Sequence, residues 1–186
     1  MKKVILQSGR YYHIYNRTKN GDPLFIDEDD CKFFLELYKT HVVPMAETYA
    51  YCLLHDHLHF LIKIRDDTNG NTYKSFAILF NSYAKGYNKK NARTGKVFQF
   101  KLKRIEVRRD SVFKDLVKYI NLNPCKHGEA EHPADFRYCS FRATFTQHPT
   151  LIRKDELAER FGDRHALLNS FQEPANEILL KRYMLE

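Results

Sequence analysis

YCLLHDHLHFLIKI, residues 51–64, is the stretch on which the reading of the whole chain turns. From His57 the residues alternate as a strand requires, with successive side chains on opposite faces. Leu58, Phe60, Ile62 and Ile64 share one face, which belongs against a core. His57, His59, Leu61 and Lys63 share the other. Two imidazoles on one strand, two residues apart, project in the same direction and can both reach one metal ion. A hydrogen-bonded pair on a half-exposed sheet is the plainer reading, and this short motif does not decide between them. His55 falls in the preceding turn with Asp56 and is expected to point away. His13, His41, His127, His132, His148 and His165 show no comparable spacing and are assigned to core or surface.

Working outward, residues 48–54 form the preceding strand and make an antiparallel hairpin with 57–65. Upstream, Tyr11–Asn16 alternates as a first strand, and Asn20-Gly21-Asp22-Pro23 marks a turn. Asp27 can cap a helix running to about His41, with Phe33, Phe34, Leu37 and Tyr38 as its apolar stripe. Pro44 bars its continuation. Downstream, residues 66–71 read as a loop and Thr72 to about Lys90 as a second helix burying Phe76, Leu79, Phe80 and Tyr83. A turn at Gly95 leads to a strand over 103–108. Asp110 or Ser111 then caps a third helix, ended by Asn123-Pro124. The order β-α-β-β-α-β predicts a ferredoxin-like α+β sandwich, an antiparallel sheet with two helices on one face. Beyond residue 146 the pattern restarts as short helical pieces, Lys154–Phe161 and Asp163–Phe171. Residues 1–145 are expected to form the main domain and 146–186 a helical C-terminal appendage.

Of the 186 residues 43% are hydrophobic, enough for one folded core. No apolar run approaches the ~20 residues that span a bilayer, and the first ten residues are too short and polar for a secretory signal. Four cysteines without a CxxC pair suggest neither a zinc knuckle nor a disulfide scaffold, and fit reduced thiols in a cytoplasm. The net charge of +8 favours polyanionic partners, and its distribution sharpens the point. Residues 85–109 hold ten basic side chains and one acid, Glu106, whereas residues 146–186 hold six basic against seven acidic. Lys85, Lys89, Lys90, Arg93, Lys101, Lys103 and Arg104 belong to that basic run, interleaved with Tyr83, Tyr87, Phe98 and Phe100. Phosphates suit lysine and arginine, and unstacked bases suit aromatic faces. The run is therefore expected to hold nucleic acid. A solvated helix face followed by an ordinary strand is the alternative.

The third helix reads DSVFKDLVKYINLNP, residues 110–124, with Val112, Phe113, Leu116, Val117 and Ile120 as its apolar face. Tyr119 and Asn123 lie four apart on the flank of that face, so a phenol and an amide can meet one small site, although a border tyrosine before a helix-ending Asn-Pro is the plainer reading.

These residues carry a resemblance. HLH inside a strand, followed by a helix bearing KYINLNP, resembles the single-tyrosine HUH (His-hydrophobic-His) transposase family, and most of all its REP-associated branch. YHIYNR at Tyr12–Arg17, AYCLLHDHLHFLIKI at Ala50–Ile64, GKVFQFKLKRI at Gly95–Ile105 and YINLNP at Tyr119–Pro124 extend the likeness along most of the chain. The family's fold is ferredoxin-like. The resemblance implies a divalent metal, Mg2+ or Mn2+, held by His57, His59 and a polar third ligand at the position of Asn123. Tyr119 would be the nucleophile, attacking single-stranded or hairpin DNA to leave a 5′-phosphotyrosine and a free 3′-OH that later rejoins strands. Lys101, Lys103 and Arg104 match the family's basic stretch.

Two positions depart from the family. It often has PNH where this chain has His55-Asp56-His57, and YIH where this chain has Asn121 as the third residue. Neither change removes the histidine pair or the tyrosine. Two other readings stay open: a hairpin-binding module that no longer cleaves, and a metal-dependent phosphodiesterase without a covalent step. Members of the family act as monomers or as dimers, and both are open for this chain.

Overall fold

The computed structural model describes residues 6–18, 21–66 and 72–184. The elements follow the expected order: β1 (Tyr11–Arg17), α1 (Glu28–His41), β2 (Ala46–Leu53), β3 (His57–Ile64), α2 (Thr72–Lys90), β4 (Lys103–Val107) and α3 (Asp110–Lys126). Short helices complete the chain: α4 (Phe141–Phe145), α5 (Lys154–Phe161), α6 (Arg164–Ser170) and α7 (Glu177–Leu180). The strands form one sheet in the order β2-β3-β1-β4, every neighbouring pair antiparallel. This is the ferredoxin-like sandwich that the alternation predicts. The expected turn at 20–23 and the loop over 66–71 lie partly outside the described residues.

The apolar face of β3 buries Leu58, Phe60, Ile62 and Ile64 against Phe34 and Tyr38 of α1 and Phe76, Leu79 and Tyr83 of α2. Tyr38 stacks on Phe60 with ring centroids 4.3 Å apart. The start of α1 is fixed as its sequence predicts, the Asp27 carboxylate accepting from the backbone N–H groups of Asp29 and Asp30. Where the two helices cross, a Cβ on Gly86 would lie 2.6 Å from Phe33 Cε1, so a larger residue would have to displace the partly exposed Phe33 ring.

The other face of the sheet is covered too. Val112, Phe113, Leu116, Val117 and Ile120 of α3 pack on Tyr49, Cys52 and Leu61, and Leu157, Leu167 and Leu180 from the C-terminal helices join the same cluster. The histidine face is therefore enclosed rather than half-exposed, and residues beyond 146 help to enclose it.

Two expectations about α3 are corrected. Arg109, not Asp110 or Ser111, occupies the N-cap, and no side chain caps it. Asp110 instead lies in the first turn and pairs with Lys114 at 3.2 Å, where a carboxylate also favours the helix dipole. Nor does Asn123-Pro124 end the helix, which runs through Pro124 to Lys126. Proline forfeits one backbone donor, yet the last turn closes through His127 N–H to the Asn123 carbonyl at 3.0 Å. Among the described residues no helix is long and apolar enough to cross a membrane.

Candidate active site

Strand register places the first site residues. His57 lies opposite Arg17 and His59 opposite Tyr15 on β1, while Cys52 of β2 flanks His59 on its other side. Helix α3 crosses this face and lays the Tyr119 ring edge-on against His59, centroids 5.6 Å apart. Tyr119 is 5% exposed, and the Lys126 ammonium sits 5.7 Å from its ring centre. Asn123 follows one turn later, fully buried.

Each imidazole is held at Nδ1. His57 Nδ1 lies 2.5 Å from Asp56 Oδ1, and His59 Nδ1 lies 2.9 Å from His13 Nε2. With Nδ1 engaged, Nε2 is the nitrogen each ring has left for a ligand. Such outer partners orient metal-ligating histidines. If His59 offers the Nε2 lone pair, its proton sits on Nδ1 and is donated to His13. Burial pushes the pKa values of all three histidines down, His13 to about 3, His59 well below the ordinary range, and His57 less far because Asp56 opposes the shift. All three are neutral near pH 7, the form that ligates.

Several buried polar atoms here have no hydrogen-bond partner: His59 Nε2 and both side-chain polar atoms of Asn123. Leaving such an atom unpaired costs about 1–3 kcal/mol. A divalent cation would satisfy His59 Nε2 and Asn123 Oδ1 together with His57 Nε2, so the residues fit the expected ion. Among the described residues no three His, Cys, Asp or Glu side chains gather as a metal cluster. A third donor to an ion on the histidine pair would have to be of another class, as the Asn123 amide is.

Sequence reasoning missed two neighbours of the pair. His13, assigned to core or surface, bonds His59. His127 packs its ring against His57 at 4.7 Å. His127 continues the row Tyr119, Asn123 at the next fourth residue, a signal hidden by reading Pro124 as a stop. His55, as expected, serves the turn, its carbonyl accepting from the Leu24 and Phe25 N–H groups.

Asn121, one of the two departures, is structural. Its amide donates to the Val117 carbonyl at 2.9 Å, and its Oδ1 accepts from Ser140 Oγ at 2.7 Å. Ser140 Oγ in turn accepts from Tyr51 N–H at 2.9 Å, tying α3 to β2. Ser140→Ala strands an amide oxygen and a backbone donor at once, and is expected to cost about 2–4 kcal/mol in urea denaturation. A loss below half a kcal/mol would mean that water replaces the hydroxyl.

The basic run is split. Lys103 faces the histidine side, opposite Tyr15, with its ammonium 4.2 Å from the Phe100 ring centre. Arg104 points to the other side, over Tyr73. Lys85, Lys89 and Lys101 are exposed, the first two on α2 in the opposite layer, and Arg93 lies over Tyr87. Lys90 is an internal tie, pairing with Asp27 at 2.7 Å and Asp30 at 2.8 Å. Three of the four interleaved aromatics are not base platforms, and the fourth, Phe100, is only partly buried. Tyr83, Tyr87 and Phe98 are buried, and the two hydroxyls donate to the Leu24 and Pro23 carbonyls.

No protein-family profile matches the chain, and no curated protein matches it. Among solved structures, a REP-associated tyrosine transposase bound to a REP hairpin superposes over 80% of this chain and 88% of its own, with a TM-score of 0.61 and 14% identity. The chain has the fold of a REP-associated tyrosine transposase. A bacterial tRNA(His) guanylyltransferase-like protein in complex with GTP also superposes, at a TM-score of 0.40 and 11% identity over 68% of this chain and 71% of its own. At that score it carries no argument. On the transposase fold, the sheet presents His57 and His59 to the helix that carries Tyr119, all within one chain.

Proposed function

We propose that this protein is a metal-dependent DNA strand-transferase acting on single-stranded or hairpin DNA through a tyrosine. The observation that carries the reading is the Tyr119 ring against His59, beside the unpaired His59 Nε2 and Asn123 amide, on the transposase fold.

His57 Nε2, His59 Nε2 and Asn123 Oδ1 would hold the ion, Mg2+ or Mn2+. When bound, it supplies positive charge to polarise the scissile phosphate. Tyr119 Oη attacks phosphorus, forming the 5′-phosphotyrosine bond as the bond to the 3′-oxygen breaks. The phenol proton is lost to water and the leaving oxygen regains one as a 3′-OH. Rejoining reverses these roles and needs no external energy source, because the phosphotyrosine conserves the bond. Histidine pair and tyrosine come from the same chain, which supports a site complete in the monomer.

The burial of Tyr119 favours one second reading, a hairpin-binding module that does not cut. The deciding test incubates the protein with labelled hairpin DNA and Mn2+, followed by denaturing electrophoresis. A denaturant-resistant adduct supports the transferase, and tight binding without an adduct selects the module. Metal binding has its own readout. Saturating Mn2+ is expected to raise the thermal midpoint of the wild type, by about 3 kcal/mol of stabilisation at 100 times the dissociation constant. His59→Ala should show no such gain, and an equal gain would place the ion elsewhere.

A further inference from the structure

The outer edge of β2 carries an added piece of chain. Residues 138–140 run antiparallel to it for one bridge, which sets Cys52 opposite Cys139. The bonds on either side run from Leu53 N–H to the Tyr138 carbonyl at 3.0 Å and from Ser140 N–H to the Tyr51 carbonyl at 2.9 Å. Both are made by the neighbours of the two cysteines, which marks these as a non-hydrogen-bonded pair, the kind whose side chains come closest. Such pairs hold their Cα atoms about 4.5 Å apart, at the near end of the roughly 4.4–6.8 Å that a disulfide spans.

Opposite residues of antiparallel strands also share a face. Here both side chains are buried in the cluster that α3 covers, both are free thiols, and Cys52 lies opposite His59 on its other side. Cys139 Sγ donates to the Pro133 carbonyl at 3.3 Å, a weak bond that oxidation would forfeit at little cost. Burial pushes both thiols above the ordinary range, Cys139 to about 11, and for Cys52 the next cause is the Cys139 sulfur itself. Cys31 belongs to the other layer of the core, and Cys125 is part-buried on α3.

We propose that Cys52 and Cys139 form a reversible oxidation site, a thiol pair that a hydroperoxide converts to a disulfide. The Cys139 sulfur, having lost its proton, attacks one peroxide oxygen. The O–O bond breaks, and the departing hydroxide takes up that proton as water. The Cys52 sulfur then attacks the resulting sulfenic acid, forming the S–S bond as the S–O bond breaks and a second water leaves. The two thiols give up two electrons and two protons, and the peroxide accepts both. The reaction is slow while both thiols are enclosed and protonated, so the pair responds to sustained oxidant. The bond would staple to β2 the segment whose Ser140 hydroxyl holds α3 through Asn121. Oxidation thus stiffens the frame beside His59 without consuming any group of the proposed site, and the inference stands apart from the proposed function.

The experiment treats the reduced protein with hydrogen peroxide, alkylates the remaining thiols, digests without reductant and reads the peptides by mass spectrometry. The expected product is a linked pair of peptides carrying Cys52 and Cys139, lighter by two hydrogens than their sum and separated by dithiothreitol. Cys31 and Cys125 should remain open to alkylation after denaturation. The urea midpoint of the treated wild type should rise and fall back with dithiothreitol, because a bond closing a long loop restricts the unfolded chain. Cys52→Val keeps an apolar side chain and Cys139→Ser keeps a donor for Pro133, and neither should show the rise, whereas Cys125→Ser should. Two separate thiols after treatment, a sulfinic acid at Cys139 with no crosslink, or a bond from either cysteine to Cys125 would overturn the pairing. An equal rise in Cys52→Val, or a linked wild type with an unchanged midpoint, would overturn the staple.

Discussion

Tyr119→Phe is expected to abolish the covalent protein–DNA adduct, lowering its formation by at least about 10⁴-fold, the scale on which removal of a nucleophile acts. The ring that packs on His59 is kept, so the histidine face stays filled and hairpin binding should match the wild type within about twofold. His57→Ala should also lose cleavage, but by a different route, since it leaves the phenol in place and removes a candidate ligand. Comparing the two separates nucleophile from metal site. Labelled DNA shows the distinction directly, because the wild type should retain the downstream, 3′-labelled fragment through its 5′ phosphate and release the upstream fragment with a free 3′-OH. A Tyr119→Phe protein that still cuts, leaving a free 5′ end, would refute the covalent step and select the phosphodiesterase reading.

Acidification should cost this protein about 2 kcal/mol or more of stability before most of its carboxylates titrate. In the unfolded chain a histidine has a pKa near 6.5, while in the folded chain burial holds His13 at about 3 and His59 well below its ordinary value. Between those limits the unfolded state binds more protons, so stability rises with pH through the window and is lost as pH falls below about 6.5. From pH 7 to 5 His13 contributes a loss of about 2 kcal/mol, and His59 and His57 add losses of the same sign. Glu129 acts in the opposite sense, because burial raises its pKa and acid then favours the fold. Total stabilities of about 5–15 kcal/mol make a loss of about 2 or more easy to see in denaturant titrations at the two pH values without metal. His13→Gln should flatten the dependence, since it keeps an acceptor for His59 but does not titrate. An unchanged slope in that variant would remove His13 from the account.

The sandwich was legible because its signals are local. Period-two alternation at 57–64 fixed both faces of β3, and Asp27 marked the start of α1. Tyr119 and Asn123 were legible for the same reason, being one helical turn apart. What stayed hidden depends on tertiary register. His13 meets His59 across 46 residues of chain, through strand pairing that no local pattern shows. His127 was hidden by Pro124, whose missing donor the last turn of α3 tolerates. Tyr83, Tyr87 and Phe98 looked like base platforms because local sequence does not distinguish a buried aromatic from one facing a ligand. Lys90 looked available because its acids lie on another helix.

The cover over the histidine face has a consequence for how the protein is made. Asn176 N–H bonds Asp115 at 3.2 Å, Glu177 pairs with Lys126 at 3.1 Å, and Tyr183 lies against His13. All three contacts join late residues to elements synthesised well before them. During translation the sheet and its two long helices can assemble first, as N-terminal units generally do. The histidine face then has α3 over it but lacks its outer cover until residues 176–183 have emerged. A nascent chain paused before that point would leave the tyrosine helix and the histidines without those contacts, so the site acquires its full enclosure only after they form.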